Sequence, residues 1–430
     1  MINRFSTIIF LFLFAFTAFS QQSSSFLQLG NPDKLGVSSE RLQLLDDHIE
    51  QFIKDGHLAG GVFMIAKKGE VVYNKTFGER SPGVSYKEND IFRLASMTKA
   101  FTTVSIMQLV ENGKLRLDDA VYYYLPEFKE MFVAENINQE DSTYTTRPAV
   151  RPITIRQLLT HTSGITYGAF QGGAIGAMYD KYGANEFGLS HETKSTLEMA
   201  QTIAEVPLIF EPGERYSYGL NMEVLGAVVE VLSEMTLGEY IKMNILEPLK
   251  LQETAFYHRP VLHKRIVPVY TFNEEGKLVV SQDARLDYPS ISDRTNFAGG
   301  GGMSGTAMDY MVFIQALLDG GEYNGSRILS RKSIDLITSD QMIALNRKGN
   351  GMSQVPGITY GLGFSLITED GRGVSMKSPG TFEWGGYFNT KFFIDPEEEL
   401  TFVGMTQVVP FPRGDFWDKA YAIIYSSLKN

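Results

Sequence analysis

The sequence predicts an α+β chain in which one antiparallel sheet is flanked by helices and interrupted by an inserted all-helical lobe. Two patterns carry that prediction. Strand-like runs gather near the two ends, at 62–73 and 360–405, and helical periodicity fills the stretch between them. Elements of both kinds then pack most simply as one sheet built from both ends, with helices on its faces. Composition agrees: 43% of the 430 residues are apolar and 21% charged, a globular balance. A chain this long buries a core without metal or disulfide staples.

Residues 21–36 read as a polar lead-in. A helix opens at Ser38 or Ser39 as cap, carries Leu42, Leu45, Ile49 and Phe52 on one face, and stops at Gly56. Val62-Phe63-Met64-Ile65, a Lys68-Gly69 turn and Val71-Val72-Tyr73 form a hairpin. A long helix covers 96–112, ended by Gly113. Residues 130–150 are polar and proline-punctuated, a loop or a small hairpin. Residues 155–260 are helix-like, with a buried helix at 224–235. Four consecutive glycines, 299–302, mark a turn where backbone passes close to something. Thr306 then caps a helix, with Asp309 three residues on. Residues 360–368 read as one strand, and 391–394 with 400–405 as a hairpin around Asp395-Pro396. Residues 416–428 form an amphipathic helix. The lobes fall at about 37–90 with 300–430 (sheet) and about 91–299 (helical), one domain over 37–430.

Several function classes are excluded early. The net charge is −11 with no basic block, which disfavours nucleic acid as a partner. Cysteine is absent, so thiolate chemistry, disulfides and lipidation on cysteine are out. There are six histidines and no HExxH, His191-Glu192 being followed by Thr-Lys-Ser. No metal site is expected. At the N-terminus, Arg4, an apolar run over 8–16 and Ala18-Phe19-Ser20 form a secretory signal, with cleavage before Gln21. No second apolar run is long enough to span a bilayer. The expected mature protein is secreted or periplasmic, without stable membrane insertion.

A Ser-His-Asp hydrolase of the Gly-x-Ser-x-Gly kind is not written here. Gly302-Met303-Ser304-Gly305 fails the spacing. His161, in Leu-Leu-Thr-His-Thr-Ser-Gly-Ile, reads as a loop histidine bonded to nearby backbone. Serine can instead be activated by lysine. A Ser-x-x-Lys at a helix start puts both side chains on one face. Burial disfavours a charged amine, and the serine N–H at the helix start is free for an oxyanion. Ser96-Met97-Thr98-Lys99 fits this pattern and is followed by an apolar helix. Ser426-Ser427-Leu428-Lys429 repeats the spacing one residue from the C-terminus, where a frayed end cannot desolvate a site.

The context of Ser96 resembles the serine β-lactamase and penicillin-binding-protein superfamily, closest to the class C β-lactamase and family VIII carboxylesterase branch. Phe-Arg-Leu-Ala-Ser-Met-Thr-Lys-Ala through Gly-Lys-Leu-Arg-Leu-Asp-Asp-Ala (92–120) carries the likeness. So do residues 153–164, Pro212-Gly213-Glu214-Arg215-Tyr216-Ser217-Tyr218, the glycines 299–302 and Trp384-Gly385-Gly386. The likeness extends over roughly 35–425 and implies the β-lactamase/transpeptidase-like fold. It assigns Ser96 as nucleophile, with Lys99 and Tyr218 sharing its proton; Tyr216 is the competing tyrosine. A free phenol titrates near ~10, too high for a good base, and a neighbouring lysine favours the phenolate. Trp384, Gly385 and Gly386 match the strand that lines the family's site. Two glycines let substrate lie along it, and the N–H of Tyr387 is expected to complete the oxyanion hole with that of Ser96.

Two departures bear on substrate. Leu220 stands where the family's β-lactamases carry the asparagine of Tyr-x-Asn, which holds the substrate amide and the lysine; Asn221 is expected to point elsewhere. Trp384 replaces the strand lysine that helps fix the substrate carboxylate. Losing an amide clamp and a cation while gaining an aromatic wall disfavours charged β-lactams and favours small or medium neutral acyl esters. The expectation is therefore an exported serine hydrolase of the carboxylesterase kind, forming an acyl-enzyme on Ser96 without metal or organic cofactor. β-Lactam, D-amino-acid peptide or amide hydrolysis on the same site is the alternative, as is a silent binding protein. Tyr167, Phe170 and Tyr179 are either acyl-pocket aromatics or packing.

Overall fold

A computed structural model describes residues 27–185, 194–290, 294–352 and 355–429. Residues 1–20, where a secretory signal is expected, residues 21–26 of the lead-in and the His191-Glu192 pair lie outside the described residues. Eight strands form the central sheet: β1 Gly60–Lys67, β2 Glu70–Ser81, β3 Val84–Ser85, β4 Ile358–Tyr360, β5 Ser365–Ile367, β6 Phe382–Gly386, β7 Thr390–Asp395 and β8 Leu400–Met405. Their spatial order is β4-β5-β6-β7-β8-β1-β2-β3, and every pairing is antiparallel. The two ends of the chain join at β1 and β8, with Val62 opposite Met405 and Lys67 opposite Leu400.

Alternation along the strands divides two cores. Phe63, Ile65, Phe393 and Phe402 face one side. There they meet α1 (Ser39–Lys54) and the C-terminal helix, here α5 (Asp415–Ser426). Val62, Met64, Phe392, Ile394 and Val403 face the other, larger core. That side is covered by α4 (Ala307–Leu318), on which α2 (Thr98–Glu111) packs with Phe101 stacked on Phe313. Because both faces are buried, β1 reads as an unbroken apolar run. α1 begins where Ser38 accepts from the Arg41 N–H, and buries Leu42, Leu45, Ile49 and Phe52. α2 is buried on every side through Leu109, so it lacks an amphipathic stripe.

The expected strand over 360–368 is two strands. Gly363 takes a φ of +80° and Gly361 N–H donates to Phe364 O, folding β4 back onto β5. A Cβ at Gly363 would lie 2.1 Å from Thr103 Oγ1, so only glycine lets this turn rest on α2. The region 130–150 is a small hairpin, Phe132–Glu135 with Thr145–Pro148. The stretch between the sheet segments is mainly helical and carries a second hairpin, Tyr270–Phe272 with Leu278–Val280. Its buried helix, α3, starts earlier than the apolar run, at Asn221–Ser233. Among the described residues, no helix is long and apolar enough to cross a membrane.

Candidate active site

The chain reaches Ser96 under tight control. Phe92–Arg93 pairs with Ser304–Gly305, and Leu94 N–H donates to Met303 O at 2.9 Å. The buried Arg93 guanidinium donates to Leu286 O at 2.7 Å and Val267 O at 2.6 Å. Ala95 then takes a φ of +45°, a left-handed conformation costly for a residue with a Cβ. Ser96 follows in a 3₁₀ turn, Ala95–Met97, that runs into α2. The Ser96 N–H, at the start of this turn, has no intrahelical acceptor.

Lys99, fully buried on α2, places its three hydrogens on three acceptors. These are Ser96 Oγ at 3.2 Å, Tyr167 OH at 3.1 Å and Gly300 O at 2.6 Å. The glycine run brings that carbonyl in: a Cβ at Gly299 would lie 2.4 Å from Met222 O. Tyr218 OH donates to Ser96 Oγ at 2.7 Å, and Trp384 Nε1 donates to Tyr218 OH at 3.3 Å. Ser96, Lys99, Tyr218 and Trp384 thus form one connected set. Tyr216 does not join it. It packs on Tyr360 and His161, and burial pushes its phenol well above the ordinary range.

β6 presents an open edge beside Ser96. β5 pairs with it only at Glu383 and Phe382, so among the described residues no strand covers the outer edge of Trp384-Gly385-Gly386. Gly386 passes so near the nucleophile's lead-in that a Cβ would lie 2.4 Å from Leu94 O. The cleft here has a volume of about 460 Å³ and is lined by Ser96, Phe170, Tyr218, Trp384, Gly385, Gly386 and Tyr387, among others. Phe170 and Tyr387 stack at 6.1 Å. A larger cavity of about 670 Å³, beside Phe256 and Phe297, contains none of Ser96, Lys99 or Tyr218, and the smaller cleft is where reactive groups converge.

Leu220 is not brought to the cleft. It stands just before α3, is 1% exposed and packs in the larger core. Its placement follows from α3 being buried on all sides at its start. Asn221 turns away as expected, to His161 and Ser163. The lysine contact that the missing amide would make is taken by Tyr167. Of the three aromatics named from sequence, Tyr167 meets Lys99, Phe170 lines the cleft, and Tyr179 is packed, its hydroxyl accepting from Thr166 N–H at 2.8 Å.

Two neighbours were not expected at the site: Glu223, and His161, which was read as a loop histidine bonded to nearby backbone. His161 sits 4.8 Å, centroid to centroid, from Tyr218. Its Nδ1 accepts from Asn221 Nδ2 at 2.8 Å and Gly219 N–H at 3.3 Å, which puts its proton on Nε2. Burial, then the Lys99 charge, hold it well below its ordinary range, so it is neutral. Glu223 is a buried carboxylate set against Gly300, whose Cβ would lie 2.4 Å from Oε2. Neither oxygen makes a hydrogen bond of full geometry, although the nearby Gly300 N–H favours the charged form. Burial raises it and the Lys99 charge opposes that rise. No spacing rule links residues 161 and 223 to residue 99; only the fold does. Among the described residues, no cluster of three or more His, Cys, Asp or Glu side chains could hold a metal.

Residues 45–425 match the family model described as Beta-lactamase. Esterase EstB of Burkholderia gladioli is 28% identical over 369 residues, covering 82% of this chain and 86% of that protein. Lovastatin esterase of Penicillium rubens is 28% identical over 394 residues, covering 86% and 94%. Among solved structures, simvastatin synthase of Aspergillus terreus, LovD6 mutant, superposes with a TM-score of 0.74 at 25% identity, covering 91% of this chain and 98% of that one. EstCE1, a hydrolase with promiscuous acyltransferase activity, gives 0.76 at 24% identity over 90% and 98%, a likeness of fold.

Proposed function

The chain belongs to the Beta-lactamase family and is a serine hydrolase, and from that premise we propose an exported carboxylesterase that acts on small or medium acyl esters through an acyl-enzyme on Ser96. One observation carries the reading. Ser96 Oγ stands 2.7 Å from Tyr218 OH and 3.2 Å from Lys99 Nζ at an aromatic cleft beside an open strand edge.

In the proposed reaction, the Lys99–Tyr218 pair has given up one proton before Oγ attacks the acyl carbonyl, and the site so vacated takes the Ser96 proton. The oxyanion is held by the N–H groups of Ser96 and Tyr387. Tyr218 protonates the departing alkoxide, and the alcohol leaves. Water then attacks the acyl-enzyme, giving up a proton to the same pair, and the acid departs as Ser96 recovers its hydrogen. Trp384 supports Tyr218 through its indole N–H. The inward turn of Leu220, which leaves the cleft without an amide clamp, favours esters over β-lactams, as do the names of the esterase relatives. Export rests on the N-terminal signal of residues 1–20.

The test is intact-protein mass spectrometry with p-nitrophenyl butyrate or a fluorophosphonate, on the mature protein and Ser96→Ala. Hydrolysis or a stable adduct in the wild type alone is expected. Near-normal turnover in Ser96→Ala would remove the nucleophile assignment. Nitrocefin turnover faster than ester turnover would move the substrate class to β-lactams.

A further inference from the structure

Lys391 stands on β7 opposite Gly385 of β6 and Gly404 of β8. Directly opposed residues share a sheet face, so these three positions form a row on the α5 side. Trp417 fills the space over Gly404, where a Cβ would lie 2.5 Å from its ring. The lysine stem fills the space over Gly385, where a Cβ would lie 2.6 Å from Lys391 Cδ and 3.0 Å from Cε. Blocked on one side and admitted on the other, the stem crosses β6 toward the edge that β5 leaves uncovered. Lys391 accordingly lines the same cleft as Ser96 and Trp384.

Its ammonium has no hydrogen bond or ion pair among the described residues. The charged groups around it are Glu383, Lys377 and Asp418. Glu383 is held by Lys377, which also lies over the Tyr421 ring. Burial lowers the Lys391 ammonium below its ordinary range. A partly buried cation without a partner favours any anion that reaches it.

We propose that Lys391 is a specificity-determining residue that receives a substrate carboxylate, so that the preferred substrates are esters carrying a carboxylate. The cation that position 384 lacks re-enters the cleft from the neighbouring strand, through the gap left by Gly385. This inference rests on the esterase reading above, and it replaces the neutral-ester preference expected from sequence.

The experiment measures kcat/KM for two matched pairs. Mono-p-nitrophenyl glutarate against p-nitrophenyl butyrate places the carboxylate on the acyl side. 4-Butyryloxybenzoate against its methyl ester places it on the leaving-group side. In the wild type, one charged member should exceed its neutral partner. Lys391→Gln should lower kcat/KM for that charged ester about tenfold or more, as loss of a charge-assisted bond does, and leave the neutral one within about twofold. Lys391→Arg should retain most of the preference. Should Lys391→Gln fail to fold, the wild type alone decides: KM for the charged ester rises with added salt while that for the neutral one stays level. Equal loss on both members, or no charged preference in either pair, overturns the proposal. Absence of all ester turnover, with Ser96 unreactive, would instead overturn the esterase reading.

Discussion

Tyr218 and Tyr216 are two residues apart and have opposite environments. Tyr218 OH is 2.7 Å from Ser96 Oγ, whereas the Tyr216 phenol is buried against Tyr360 and His161. Tyr218→Phe should therefore lower kcat with p-nitrophenyl butyrate by about 10²–10⁴, the usual worth of general acid–base help. Tyr216→Phe should keep kcat within about threefold, since a general acid–base role is what carries the large factor. Equal loss in both would transfer the role away from Tyr218. Ser96, Lys99, Tyr218 and Trp384 were legible because short motifs hold them at fixed spacings. The contacts that bring Tyr167 and His161 to the site, and Glu223 altogether, were not. Each of these residues reaches the site through a contact with a residue more than fifty positions away, such as Tyr167 OH on Lys99, and such contacts leave no local pattern. Leu220 shows the reverse error: its motif position was right, but burial turned the side chain into the core.

At the scale of elements, helix starts were readable from their caps. Ser38 and Thr306 accept from the third residue on, as polar caps do. The 360–368 strand was misread because its apolar alternation runs straight through the Gly361–Gly363 turn, and only contact with α2 and Ile337 shows why those glycines are there. A pair of opposed titrations lies at the start of α4, Asp309 in its first turn and His258 bonded to Ser304 just before it. Asp309 accepts from Glu253 N–H at 2.8 Å and Thr254 Oγ1 at 3.0 Å, and burial raises it to about 6. His258, bonded to Ser304 Oγ, is lowered by burial to about 4. The raised carboxyl gives stability that is present below its unfolded value and lost as pH climbs to about 6. The lowered imidazole gives stability that is present above its unfolded value and lost as pH falls to about 4. Across that window the two slopes oppose, each worth roughly 3 kcal/mol. Relative to wild type, Asp309→Asn should thus gain urea midpoint as pH goes from about 4 to 6. His258→Gln should lose it over the same range. Parallel curves for all three proteins would show that neither group titrates there.

At the scale of the whole molecule, the two faces of the sheet meet at one turn. The sheet's closure from both chain ends was legible from where the strand runs fall. Its coupling to the site was not, because Trp417 and Asn389 are joined only in the fold. Trp417, in the core under α5, donates to Asn389 Oδ1 at 2.6 Å. Asn389 holds a φ of +63° between β6 and β7, two residues after Tyr387, the second proposed oxyanion donor. Its Nδ2 has no partner of its own, so this bond is what fixes the side chain. Trp417→Phe keeps an aromatic ring but leaves Oδ1 buried and unpaired, a cost of about 1–3 kcal/mol. It should also lower kcat, because the turn that positions the Tyr387 N–H loosens. The control is Tyr425→Phe on the same helix, which removes a 2.6 Å bond to Asp395 at the far end of β7. Asp395 still accepts from Ser378 and Glu398 N–H. That variant should lose stability and retain kcat per folded molecule. A fall in kcat for Trp417→Phe alone would place the coupling in the β6–β7 turn; equal falls in both would mean that the outer core supports the site only by keeping the sheet folded.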